Sequence, residues 1–273
     1  MKLFRFDGGR IGVSIDGQAY DITDALGIDL KMWPPVQMVN LIANFDGRIK
    51  GITANPKTRK MDLGKVRLEV PIEWPNKLVA FPVNYREHGA EMNSPNRADL
   101  NGFFLKANSS LSGPNDAIKL PSLPGREIHH ECELGIVIGK QGRNVSREDS
   151  GKYIFGYACL IDVVVRGKEE RVMRKSWDTF CPFGPWIVTA DEISNPADVK
   201  MKLWVNDLLR QDDSTRNLIV DIPGMIELVS RVSTIYPGDI IATGTPAGVG
   251  ELKKGDRVRI AIEQVGEMNL AVE

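Results

Sequence analysis

The stretch Glu127-Ile-His-His-Glu-Cys-Glu-Leu-Gly-Ile-Val-Ile-Gly139 holds two carboxylates at a spacing that could do chemistry. Read as a strand, it puts His130, Cys132, Leu134, Ile136 and Ile138 on one face. His129, Glu131, Glu133, Gly135 and Val137 fall on the other. Glu131 and Glu133 then point the same way, roughly 6–7 Å apart at their Cα atoms. Like charges so placed repel each other unless a cation or a shared proton intervenes. A solvated strand face would also accommodate them. Asp162 narrows the choice, because it sits in Tyr153-Ile-Phe-Gly-Tyr-Ala-Cys-Leu-Ile-Asp-Val-Val-Val165, a run otherwise almost wholly apolar. A carboxylate in such a run needs a partner to stay ionised. Arg166 is one candidate partner. The alternative is a three-carboxylate site, whose hard oxygens suit Mg²⁺, Mn²⁺ or Ca²⁺ better than Zn²⁺. Three protein ligands would leave positions for water and a chelating substrate.

A second pair lies in Pro82-Val-Asn-Tyr-Arg-Glu-His-Gly-Ala-Glu-Met92. His88 and Glu91 are three apart and share a face on a helical turn. A carboxylate beside an imidazole orients the ring and raises its basicity, which suits a base that activates water. Alone, a His/Glu pair at this spacing is more often a surface contact.

These residues need a frame of strands. The first ~75 residues are short apolar runs broken by turn signals, with strands expected at Lys2–Phe6, Ile11–Ile15 and Gln18–Ile22. A helix is expected at Val36–Phe45, and Thr58 to Lys65 reads as a connection. From residue 66 onward strand follows strand, including Cys132–Ile138, Gly156–Val165, Lys200–Val205 and Val258–Val265. Leu218–Val232 is the longest helical pattern, with Pro223 inside its first half. No regular βαβ alternation is present, so the fold class expected is α+β and β-rich, a mixed sandwich or roll. A small N-terminal domain over residues 1–75 would precede a catalytic domain over 76–273. The 35 basic and 36 acidic residues nearly cancel, so no global field recruits nucleic acid or an anionic membrane. No apolar run approaches the ~20 residues of a membrane helix. Cys132, Cys159 and Cys181 form no metal or disulfide pattern, and a cytoplasmic location is expected.

The segments NYREHGAEM, FFLK, HHECELGIVIG, GYACLIDVVVR, KSWDTFCPFGP and PGDIIATGTPAGVG occur in the order found in the fumarylacetoacetate hydrolase family. From about Val79 to the C-terminus, the chain resembles that family. The resemblance implies a β-roll catalytic domain, metal binding by Glu131, Glu133 and Asp162, and a catalytic pair in His88 and Glu91. It also implies a lysine, Lys175, against substrate oxygens, with Arg166, Gln211 and Thr245 as substrate-side contacts. Homodimers bound to Mg²⁺, or to Mn²⁺ or Ca²⁺, are implied as well. The expected activity is hydrolysis of a carbon–carbon bond in an acylpyruvate-like 2,4-dioxo acid. The same site could instead decarboxylate oxaloacetate or isomerise a hydroxymuconate-type acid, and a non-catalytic metal-binding β-protein is the rival from another class. Arg166 is followed by Gly167 where relatives commonly carry aspartate, and the segment to Lys175 looks short. Thr243-Gly-Thr-Pro-Ala-Gly-Val-Gly250 lacks the GK[ST] ending of a nucleotide loop.

Overall fold

The strand Cys132–Ile138 is buried along its whole length, because both of its faces are covered. Cys132, Leu134, Ile136 and Ile138 pack into one core with Met201, Leu203 and Val229. Val137, on the opposite face, packs into a second core with Leu3, Ile11, Met38 and Leu41 from the N-terminal segment. Alternating side chains thus tie the two ends of the chain to one central strand.

The computed structural model describes residues 1–95 and 97–273. Its largest sheet has twelve strands and runs from Arg59–Met61 through Lys2–Phe6, Cys181–Thr189, Ile154–Ile161, Cys132–Ile138 and Ile240–Ala242 to Phe104–Lys106. The sheet crosses from N-terminal to later residues where Lys2 pairs with Val188 and Leu3 with Ile187. A four-stranded sheet, led by the hairpin Lys200–Val205 and Leu208–Ser214, packs beside it. A three-stranded sheet joins Val164–Val165, Ile128–His130 and Gly250–Glu251. The strand-rich α+β expectation holds.

Several local expectations are corrected. The run read as Gly156–Val165 divides into Ile154–Ile161 and Val164–Val165, which belong to different sheets. Pro223 does not interrupt its helix but starts it. The helix is Ile222–Val232, capped by the Asp221 side chain, which accepts from the Gly224 amide. The expected helix over 36–45 breaks at Asn44 into Gln37–Ala43 and Phe45–Ile49. Arg59–Met61, inside the presumed connection, is an edge strand paired with Gln18–Asp21.

Candidate active site

Two neighbouring strands leave the large sheet at the same level, and this brings the carboxylates together. Cys132 pairs with Ile161 in the large sheet, and His129 pairs with Val164 in the small one. Glu131 and Asp162 occupy the gap between these pairings, linked by a 2.9 Å bond from the Asp162 amide to the Glu131 carbonyl. Glu133 follows on the central strand. Carboxylate oxygens of all three residues lie within 4.8 Å of one another, and all three side chains are buried.

Cations answer two of the three. Lys175 ends the short helix Arg171–Lys175 and places its ammonium 2.6 Å from Glu131 Oε2 and 2.5 Å from Asp162 Oδ2. Lys106, at the end of its edge strand, donates to Asp162 Oδ1 at 2.5 Å and to the Phe180 carbonyl at 2.9 Å. Arg166 turns to Glu131 rather than Asp162, at 3.5 Å. Burial works to raise the Glu131 pKa, but Lys175, Arg166 and His88 outweigh it and bring it down to about 2. Glu133 shifts the other way. Burial and then the Asp162 charge push its pKa well up, against the pull of Lys175. Its one direct partner in these contacts is an amide, the Gly244 N–H, at 2.7 Å.

That amide belongs to the glycine-rich loop, which serves carboxylates instead of a nucleotide. Gly248 N–H donates to Glu91 Oε1 at 3.0 Å, so one loop holds a carboxylate of each group. Both glycines have positive φ, +92° and +98°. A Cβ on Gly244 would meet Asn84 Cβ at 2.6 Å, and one on Gly248 would meet the Arg210 carbonyl. Only glycine suits either place.

His88 and Glu91 lie on the helix Arg86–Glu91, with His88 Nδ1 3.1 Å from Glu91 Oε2. The turn before it holds Val83 at φ +49°, an uncommon conformation for a β-branched residue. Buried Asn84 secures that turn, bonding to the carbonyls of Val220 and Thr243 and to the Val220 amide. His88, Glu131, Glu133, Arg166, Lys175 and Thr245 line a single cavity of about 340 Å³. A larger groove of about 800 Å³, beside Arg147 and Pro223, holds none of the candidate residues.

Gln211 stands behind this cavity. It donates to Thr245 Oγ1 at 2.7 Å and to the Pro246 carbonyl at 2.9 Å, while its Oε1 accepts from the Cys132 amide and pairs with His130 Nδ1. Its polar atoms are engaged within the protein, so it fixes Thr245 rather than lining the cavity. Lys106 is the residue that sequence reasoning missed. Its signal was a lysine ending the apolar run Phe103–Lys106.

The segment after Asp162 is held by Arg126, which donates to the Arg166 carbonyl at 2.7 Å and forks onto Glu169 at 2.9 Å through both terminal nitrogens. A Cβ on Gly167 would run into that fork. Those atoms are the ends of two partly exposed side chains that can swing aside, so the fork does not by itself require glycine there.

The description of the fumarylacetoacetate (FAA) hydrolase C-terminal domain matches residues 77–273. The chain belongs to the fumarylacetoacetate hydrolase family. Within that family it is 39% identical to the maleylpyruvate hydrolase of Aquipseudomonas alcaligenes, an alignment spanning 100% of this chain and 99% of the relative. It is also 39% identical to a 2,4-didehydro-3-deoxy-L-rhamnonate hydrolase of Sphingomonas sp. (strain SKA58), over 74% of this chain and 75% of that one. A crystal structure of maleylpyruvate hydrolase from Sphingobium sp. SYK-6, in complex with manganese(II) ion and pyruvate, superposes with a TM-score of 0.90 at 55% identity, covering 100% and 98% of the two chains. The enzyme expected from the sequence, a metal-dependent hydrolase of acylpyruvate-like acids, is the kind of protein these family members are.

Proposed function

We propose that this protein hydrolyses the carbon–carbon bond of an acylpyruvate of the maleylpyruvate or fumarylpyruvate kind, releasing pyruvate and a second carboxylic acid. The observation that carries the reading is one cavity lined both by carboxylates of a buried triad and by an imidazole already paired with a carboxylate. The donor set fits a hard divalent ion: three clustered carboxylates, one of them, Glu133, lacking a lysine or arginine partner among the described residues. Glu131, Glu133 and Asp162 would hold it, with Mg²⁺ as the proposed ion and Mn²⁺ or Ca²⁺ suited to the same donors. When bound, the ion supplies positive charge to the oxygens of the oxo acid, which makes the pyruvate end a better leaving group.

The chain's own groups do the rest. With Glu91 accepting from Nδ1–H, His88 presents Nε2 to take a proton from water. The hydroxide so formed adds to the acyl carbonyl. The bond between that carbon and the pyruvate methylene then breaks, and its electron pair passes to the pyruvate fragment. The proton on His88 returns to that fragment. Lys175 contributes fixed positive charge where the fragment's oxygen becomes anionic. Arg166 offers its unpaired edge to the substrate carboxylate, and Thr245, held by Gln211, keeps its own O–H for a substrate oxygen. Water activation is what separates this reaction from decarboxylation of oxaloacetate, which needs no hydroxide. We also assign residues 1–75 as a small N-terminal unit from their short, turn-broken runs, the protein as a homodimer on the family resemblance, and the cytoplasm as its location from its composition.

The test is a panel of acylpyruvates and oxaloacetate, run with and without chelator. Expected are chelator-sensitive pyruvate release from the acylpyruvates and little CO₂ from oxaloacetate. His88→Ala should lower kcat by about 10²–10⁴ while leaving Mn²⁺ affinity by calorimetry nearly unchanged. Near-normal turnover in that variant, or oxaloacetate as the only substrate, overturns the reading.

A further inference from the structure

Three arginines line the same cavity as the triad, and no carboxylate close-pairs with any of them. Arg166 touches Glu131 only at 3.5 Å through Nη1. Its Nε and Nη2 atoms are buried without a hydrogen-bond partner among the described residues. Those two nitrogens form the edge that grips carboxylates side-on, as Arg216 uses them on Asp198 in this chain. Arg174 donates only to backbone, the carbonyls of Glu169 and Val165. Arg171, half-buried at the start of its helix, has no ion pair or side-chain hydrogen bond among the described residues. Of the segment's two acids, Glu169 is taken by Arg126, and Glu170 makes no ion pair or side-chain hydrogen bond with these arginines among the described residues. Burial and then repulsion from Arg171 and Arg166 lower the Arg174 pKa, outweighing the pull of Glu131 and Glu169.

An acylpyruvate has one carboxylate beside its 2-oxo group. That carboxylate and the triad engage Arg166 and Lys175, and the cationic charge on the helix remains unanswered. Phe81, Pro82, Val83 and Met92 add apolar lining to the same cavity. A cavity of about 340 Å³ is at the small end of the range for small-molecule sites, ~300–1,000 Å³, so one compact substrate must span it.

Resting on the hydrolase reading above, we propose that Arg171 and Arg174 bind a second carboxylate at the far end of the acyl arm, so the helix Arg171–Lys175 selects dicarboxylic acylpyruvates over those with a neutral end. Guanidinium groups suit this task because they stay charged and pair with a carboxylate through two parallel bonds. Arg171 is the cleaner probe, since its removal takes away no ion pair or side-chain hydrogen bond among the described residues.

The experiment compares wild type, Arg171→Met, Arg174→Met and Arg171→Lys, all loaded with Mn²⁺, on maleylpyruvate and on neutral-ended acetylpyruvate. Binding of maleate, the dicarboxylic product of the first substrate, is measured in parallel by calorimetry on the same proteins. Expected is a drop of about tenfold or more in kcat/KM for maleylpyruvate in Arg171→Met, carried by KM, and about threefold or less for acetylpyruvate. Maleate binding should weaken in step, with partial recovery in Arg171→Lys. Equal losses on both substrates, or no loss on either, overturn the proposal. If wild type hydrolyses neither substrate, the hydrolase reading fails by itself. Maleate binding then still decides the arginines: an unchanged affinity in Arg171→Met refutes their role, and a weakened one supports it.

Discussion

Lys106 and Lys175 show what a buried carboxylate cluster needs when only protein surrounds it. Both ammonium groups are themselves buried and end on Asp162, one on each oxygen, with Lys175 also reaching Glu131. Desolvated charge survives there because every lysine faces an acid. Glu133 lacks such a partner, and burial together with the Asp162 charge raises its pKa. One step behind, His130 illustrates the opposite solution, a titratable group kept neutral. It is fully buried, its Nδ1 is held by Gln211, and its Nε2 has no partner among the described residues. Burial, outweighing the Gln211 bond, brings its pKa from 6.5 down to about 4. The unfolded chain therefore binds the extra proton first. Stability from this residue is complete above the unfolded value and is lost as pH falls from about 6.5 toward 4. At roughly 1.4 kcal/mol per unit the full loss is on the order of 3 kcal/mol. Urea midpoints taken from pH 7.5 to 4.5 should fall more steeply for wild type than for His130→Asn. Parallel slopes would mean that another group controls the acid limb.

At the scale of elements, the glycine-rich loop divides its labour, and the division can be tested. Gly244 holds a carboxylate of the triad, and Gly248 holds Glu91, the partner of His88. Gly244→Ala should weaken Mn²⁺ binding, while Gly248→Ala should lower kcat with Mn²⁺ affinity retained. Both effects should reach about tenfold or more, since each change strains a positive-φ backbone and displaces a charged hydrogen bond. Calorimetry and steady-state rates distinguish them, and the same damage profile from both variants would refute the assignment. The loop's role was only partly legible in sequence, which excluded nucleotide binding but could not say where the amides point. Cys132–Ile138 was legible to the residue because its run, apolar except at Glu133, is buried at all seven positions. Leu208–Ser214 was not, because Leu208, Leu209 and Arg210 are exposed and the rest is mostly polar, so no apolar face marks it as a strand. The same limit hid the break at Asp162. An unbroken apolar run cannot show that its two halves join different sheets, although that switch is what sets Asp162 beside Glu131.

The whole molecule adds a constraint that neither residues nor elements display alone. The family description begins at residue 77, beside the expected boundary at 75, yet hydrogen bonding and packing run straight across it. Lys2–Phe6 sits between Arg10–Ile15 and Cys181–Thr189 in the large sheet. Leu3, Ile11, Met38 and Leu41 share a core with Leu160, Phe183 and Ala242. Leu160 lies on a strand that flanks the one carrying Glu133, and Phe183 on the next strand out, so the N-terminal residues back the sheet that bears the triad. Removing residues 1–75 would expose that apolar face and leave Cys181–Thr189 with unpaired edge groups, a combination that favours aggregation. The fragment 76–273, expressed alone, should therefore lack a cooperative thermal transition and bind Mn²⁺ poorly. Adding residues 1–75 as a separate chain should restore part of both properties, because the missing strand can pair again. A fragment that melts cooperatively and binds Mn²⁺ like the full chain would show that the N-terminal unit is an attachment and that the triad's support lies wholly within residues 76–273.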